Sequence, residues 1–130
     1  MLGGTEKVTM DLVQLALNVS SLKQQVISNN IANSNTVGYK PLKVDFQKQL
    51  QSLSVALSNR SDSNSVENMI GTLRPEVVVD KELEQLGDKS VRLDQEMANM
   101  TENNVHYQAL IESLTKKMSL LRLAINGGQR

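Results

Sequence analysis

Two long stripes of apolar residues, one near each end of the chain, constrain the fold more than any other feature. From Val8 the apolar positions step by four and three through Leu12, Leu15, Val19, Leu22 and Val26, and the same steps reach Asn29 and Asn33. That period predicts a helix from Glu6 to Asn33. Ala16, Leu17, Ile27 and Ile31 lie beside or behind the stripe and widen it. The second stripe reads Met97, Met100, Asn104, Tyr107, Ile111, Leu114, Met118, Leu121 and Ile125. It predicts a helix from Asp94 to Asn126. Asp94 would cap it, Glu96 would complement its dipole, and Asn126-Gly127-Gly128 would stop it. At 1.5 Å per residue the two helices are about 42 Å and about 50 Å long, whereas a compact domain is about 30 Å across. The expected fold class is therefore mainly α, with both helices packed as an elongated antiparallel coiled-coil hairpin. Residues 1–36 form its N-terminal arm and residues 94–130 its C-terminal arm.

The middle, residues 37–93, reads as a short irregular segment. Phe46, Leu50, Leu53 and Leu57 predict a small helix over 45–57, with Asp45 as N-cap. Ser58 to Ser65 has no apolar residue at all, being Ser, Asn, Arg and Asp throughout, so 58–72 is expected to be a flexible loop. Pro75 to Asp80 is β-branched and bounded like a strand. Gly87 to Ser90 reads as a turn and Val91-Arg92-Leu93 as a second strand, which suggests a hairpin over 75–93. Two strands alone are only marginally stable in water, so a helix or a neighbouring subunit must lie beneath them.

Composition excludes several kinds of chemistry. Cysteine is absent, and with it thiol nucleophiles and disulfides; a single His rules out a multi-histidine metal site. Fourteen basic and fourteen acidic residues cancel, so no global field draws in nucleic acid. No phosphate-cradling glycine loop, nucleophile elbow or HExxH motif occurs. Glu82/Glu84 and Asp94/Glu96 have no partner base at useful spacing, and His106 falls outside the second stripe. No enzymatic activity, cofactor, metal or small-molecule substrate is expected. No apolar run approaches the roughly 20 residues of a membrane span, and the start lacks the signature of a cleaved signal peptide. The aromatics are Tyr39, Tyr107 and Phe46, so a core must rest on Leu, Ile, Val and Met.

The first stripe ends in Ser28-Asn29-Asn30-Ile31-Ala32-Asn33-Ser34-Asn35-Thr36-Val37-Gly38-Tyr39-Lys40. Asn in a helical seam can set register and partner number, and near a helix end it also bonds local backbone. Gly38 permits positive φ and Pro41 holds Lys40 extended, so a turn beside Tyr39 must follow. This run resembles the N-terminal signature of bacterial flagellar rod and hook proteins, roughly S-N-N-I-A-N-x-N-T-P-G-Y-K. It departs at Val37, where that family often has Pro. Val91-Arg92-Leu93-Asp94-Gln95-Glu96-Met97-Ala98, Glu102-Asn103, Tyr107-Gln108-Ala109 and Ala124-Ile125 are similar to the C-terminal pattern of its proximal rod members. The resemblance covers Leu12–Leu57 and Val91–Ile125, with no room between for the large inserted domains of hook relatives.

The resemblance implies a structural subunit of the flagellar basal-body rod, the axial drive shaft that carries motor torque through the periplasm. It implies export through the flagellar type III channel without a cleaved leader. The implied partners are further copies, neighbouring proximal rod proteins, and the rod base and export-gate components. Candidate interaction residues are Leu15, Val19, Leu22, Val26, Asn29, Asn33, Gly38 and Tyr39 in the first segment. In the second they are Asn104, Tyr107, Ile111, Leu114, Met118, Leu121 and Ile125. Asn29, Asn33 and Asn104 are the candidates for register control. The alternative is a soluble helical-hairpin adaptor or export chaperone, which shares the heptads but has no need of the Asn-rich turn. Because both helices offer more apolar surface than a pair can bury, the isolated subunit is expected to be partly disordered.

Overall fold

The structure, a computed structural model, describes residues 4–59 and 62–127. Its elements are α1 (Gly4–Ala32), β1 (Leu42–Asp45), α2 (Gln47–Ser58), α3 (Ser63–Thr72), β2 (Glu76–Val79), α4 (Lys81–Gln85) and α5 (Lys89–Gly127). The expected stop at Gly128 lies outside the described residues. The two long helices pack together as expected. Side-chain hydrogen bonds join Asn30 to Glu96 and Ser20 to Asn103, so the partner number on α5 rises as that on α1 falls, and the pair is antiparallel. At equal rise, Gly4 falls opposite about residue 120, so the last turns of α5 pass the described start of α1.

α1 is the centre of the molecule because its apolar residues are not confined to one stripe. Val8, Leu17, Val19, Val26 and Ile27 are all buried. α1 contacts α5, α3 and β1, three elements on different sides. Toward its N-terminus, Val8 joins Leu53 of α2 and Val66, Ile70 and Leu73 from α3 and its end in one core cluster, edged by Leu12, Leu15, Phe46 and Met69.

The middle segment differs from expectation in three places. The expected loop over 58–72 is largely helix: α3 begins at Ser63, and its N-cap Asp62 accepts a hydrogen bond from the Ser65 amide at 2.7 Å. Val66 and Ile70 supply its buried face, so a polar first turn conceals an amphipathic helix. Residues 60 and 61 of that expected loop lie outside the described residues. Second, β2 does pair, but with β1 rather than with Val91-Arg92-Leu93. The register is Leu42↔Val79, Lys43↔Val78, Val44↔Val77 and Asp45↔Glu76, antiparallel. The α2–α3 excursion between the strands brings distant segments together, and β1 rests on α1 as the required support.

Third, α5 starts at Lys89, five residues before the expected cap Asp94. Asp88 takes the capping role, accepting from the Ser90 amide at 2.8 Å. Val91 to Leu93 are therefore helical. Asp45 likewise closes β1 instead of capping α2, although its carboxylate accepts from the Gln47 amide. Between the sheet and α5, Asp80 caps α4 by accepting from the Leu83 amide, and Gly87 turns the chain at φ 71°.

Candidate assembly surface and its polar seam

The α1–α5 contact is polar where a coiled coil would place apolar knobs. Asn30 is buried and satisfies its whole amide. Its Nδ2 donates to the Leu42 carbonyl and to Glu96 Oε2, both at 2.7 Å. Its Oδ1 accepts from the Tyr39 hydroxyl at 2.8 Å and from the Leu42 amide at 2.9 Å. One side chain thus ties α1 to the following turn, to β1 and to α5. Glu96, 4% exposed, has its other oxygen held by Asn99 Nδ2 at 2.9 Å. Burial pushes the Tyr39 phenol above its usual value, and the nearby Glu96 charge pushes the same way. Three turns' distance along α1, Ser20 Oγ donates to Asn103 Oδ1 at 3.0 Å. Asn103 Nδ2 donates back to the Ser20 carbonyl and to Gln24 Oε1. A fully paired buried network specifies one arrangement, because any slip leaves donors unpaired in a low dielectric.

The Asn-rich run after α1 builds the turn that delivers Tyr39. Asn33 Nδ2 donates to the Asn29 carbonyl, and Asn33 Oδ1 accepts from the Thr36 hydroxyl. The Thr36 amide bonds the Asn33 carbonyl and the Tyr39 amide bonds the Thr36 carbonyl. Gly38 sits at φ 80°, the left-handed conformation that the turn needs. Val37, in the place where the resembled family often has Pro, stands out in solvent at 98% exposure.

The candidate interaction residues fall into two sets. Those of α1 face inward: Val19 and Val26 are buried, and Leu15 and Leu22 are half-buried. Asn29 is exposed and Asn33 serves the helix end, so neither lies in the α1–α5 seam. Those of α5 face mostly outward. Tyr107, Ile111, Met118 and Ile125 are exposed, and only Leu114 and Leu121 are half-buried. Asn104 is exposed, and its neighbour Asn103 holds the seam instead. Asn30, Glu96 and Asn103 were not among the sequence candidates. All three lie inside the quoted family runs, which was the available signal; heptad counting passed over them because it follows apolar residues.

What remains uncovered is an apolar surface on α5. Met97, Val105, Tyr107, Ile111, Met118, Leu120, Leu123 and Ile125 are all exposed, with Leu123 at 67% and Ile125 at 63%. At about 100° per residue, Met97, Tyr107, Ile111, Met118 and Ile125 fall on one side of the helix and Val105, Leu120 and Leu123 on another, so apolar side chains are uncovered on more than one side of α5. Among the described residues no cluster of His, Cys, Asp or Glu could hold a metal ion. No described helix is long and apolar enough to cross a membrane.

Such a helical hairpin, with a polar internal seam and uncovered apolar side chains along α5, is of the class that builds assemblies. A family model described as flagella basal body rod protein matches residues 13–40, which take in most of α1 and the turn after it. The flagellar basal body rod protein FlgB of Bacillus subtilis is 34% identical over 124 residues, covering 93% of this chain and 95% of that protein. FlgB of Aeromonas hydrophila is 29% identical over 129 residues, covering 89% and 91%. FlgB of Escherichia coli is 24% identical over 128 residues, covering 88% and 91%. No solved structure matches. The chain belongs to the flagellar basal-body rod protein family, and it is a structural subunit of the rod. The adaptor or chaperone alternative is not favoured.

Proposed function

We propose that this subunit builds the proximal part of the rod by packing the exposed apolar side chains of α5 against helices of neighbouring subunits on more than one side, giving an axial shaft that transmits torque. The observation that supports this reading is the exposure of Leu120, Leu123 and Ile125 on the last turns of α5, level with and beyond the described start of α1. Burial of such surface stabilises association at roughly 25 cal/mol per Å² of apolar area, before the cost of immobilising the partners. Heterologous contacts that do not close generate a helical filament. The polar α1–α5 seam would then keep each protomer in register while apolar contacts join protomers. The proposed partners are further copies, other rod proteins, and the rod base and export-gate components, within the periplasm. No enzymatic activity is assigned, and the distal half of α5 would order fully only when covered.

Purification of detergent-resistant basal bodies from the source cells, with mass spectrometry, tests the proposal. The chain is expected in the basal-body fraction in company with the other rod proteins. Confinement to the soluble cytoplasmic fraction of flagellated cells would overturn it.

A further inference from the structure

A cavity of about 280 Å³ lies where the turn after α1 meets α4 and the first turns of α5. Val37, Tyr39, Leu83, Lys89, Arg92 and Glu96 are among its walls. It lies at the lower edge of the roughly 300–1,000 Å³ of small-molecule sites and has room for an inserted side chain. Its acid, Glu96, already has both oxygens engaged, one by Asn30 and one by Asn99. Its cations do not have such partners: among the described residues the one ion pair is Lys7–Glu67, at the far end of α1. Two cations against one carboxylate leave the cavity with an excess of positive charge, and the N-terminal turn of α5 adds to it.

Arg92 carries the second observation. Its Nε is buried with no hydrogen-bond partner, the one such side-chain atom among the described residues. A guanidinium edge is shaped for a carboxylate, with two parallel N–H donors matching two oxygens. The apolar lip offered by Val37, with nothing from its own chain over it, suits the aliphatic stem of such a side chain.

We propose that this cavity receives an Asp or Glu side chain from a neighbouring rod subunit. The guanidinium of Arg92 turns outward to pair with it, gaining the partner that its Nε lacks within the chain, and Lys89 supplies a second cation. This rests on the rod-subunit reading above and names the chemistry of one contact within it.

The test uses the full chain in flagellated source cells. A photo-reactive phenylalanine analogue replaces Val37, intact basal bodies are irradiated, and the cross-linked peptides are sequenced. A rod-subunit peptide with an Asp or Glu beside the cross-link is expected; a peptide without an acid overturns the proposal. In a second arm, Arg92→Glu is expected to lower basal-body incorporation by about tenfold or more, as for a broken interfacial charge pair. Arg92→Lys retains most of it, and replacing the cross-linked acid by Arg restores the Arg92→Glu chain. Wild-type incorporation of Arg92→Glu, or equal failure of Arg92→Lys, sinks the proposal. Should Arg92→Glu lose helicity, reversal of the partner's acid alone decides, since unchanged incorporation there is equally fatal. Absence of the unmodified chain from basal bodies would remove the rod reading itself. Its presence with either arm failing removes only the cavity contact.

Discussion

The side-chain amide of Asn30 donates to the Glu96 carboxylate at 2.7 Å, joining α1 to α5 across 66 positions of sequence. The same amide closes on Tyr39 and on both backbone groups of Leu42, so its removal disturbs three elements at once. Asn30→Ala is expected to destabilise the isolated chain by about 3 kcal/mol, because Glu96 is left buried with one partner fewer. Urea unfolding followed by helical circular dichroism measures it. A loss under about 0.5 kcal/mol, the range of ordinary surface substitutions, would show that the network does not hold the helices.

Asn103 and Asn104 are adjacent, yet they differ in kind. Asn103 bonds Ser20 and Gln24 in the seam, and Asn104 is exposed. Asn103→Ala is expected to cost about 2 kcal/mol and Asn104→Ala no more than about 0.5 kcal/mol in the isolated chain. Equal effects in the same unfolding experiment would place the seam elsewhere.

Replacing Leu120, Leu123 and Ile125 together by Gln should leave isolated-chain stability within about 1 kcal/mol, since these side chains have little to lose on unfolding. Incorporation into basal bodies should collapse. Near-normal motility of cells carrying the triple variant would argue that this end of α5 is not an interface.

Tyr39 predicts an alkaline weakness. Its phenol is held above the usual value of about 10, first by burial and then by Glu96. The folded state therefore keeps its proton to a higher pH than the unfolded chain does. This contribution is fully present below about pH 10 and is lost as pH rises through the folded value. Stability should fall over that window, and Tyr39→Phe should flatten the fall. An identical slope in both proteins would assign it to other groups.

Much of this organisation is legible in the chain itself. Repeats of three and four around Val8 to Val26 and Met97 to Ile125 require two long helices, because only a helix returns those positions to one side. Gly38 and the Asn run require a turn after the first helix, and it is found there. The run Pro75 to Asp80 is a strand by its β-branching, and Glu76–Val79 is one. These are local properties, decided by covalent geometry and the nearest neighbours in sequence.

Only the tertiary structure decided which faces meet. The apolar stripe of α5 would be assigned to α1 by period alone, yet Glu96 and Asn103 take that place and Ile111, Met118 and Ile125 stay exposed. A period of 3.5 marks a surface that seeks a partner without saying whether the partner belongs to the same chain. β2 was likewise expected to pair with Val91-Arg92-Leu93, and the α2–α3 excursion delivers β1 instead. Pairing energy is made between residues far apart in sequence, so local preference carries no information about it. In this subunit the seam within the chain is chosen by matched hydrogen bonds, and apolar side chains of α5 stay exposed.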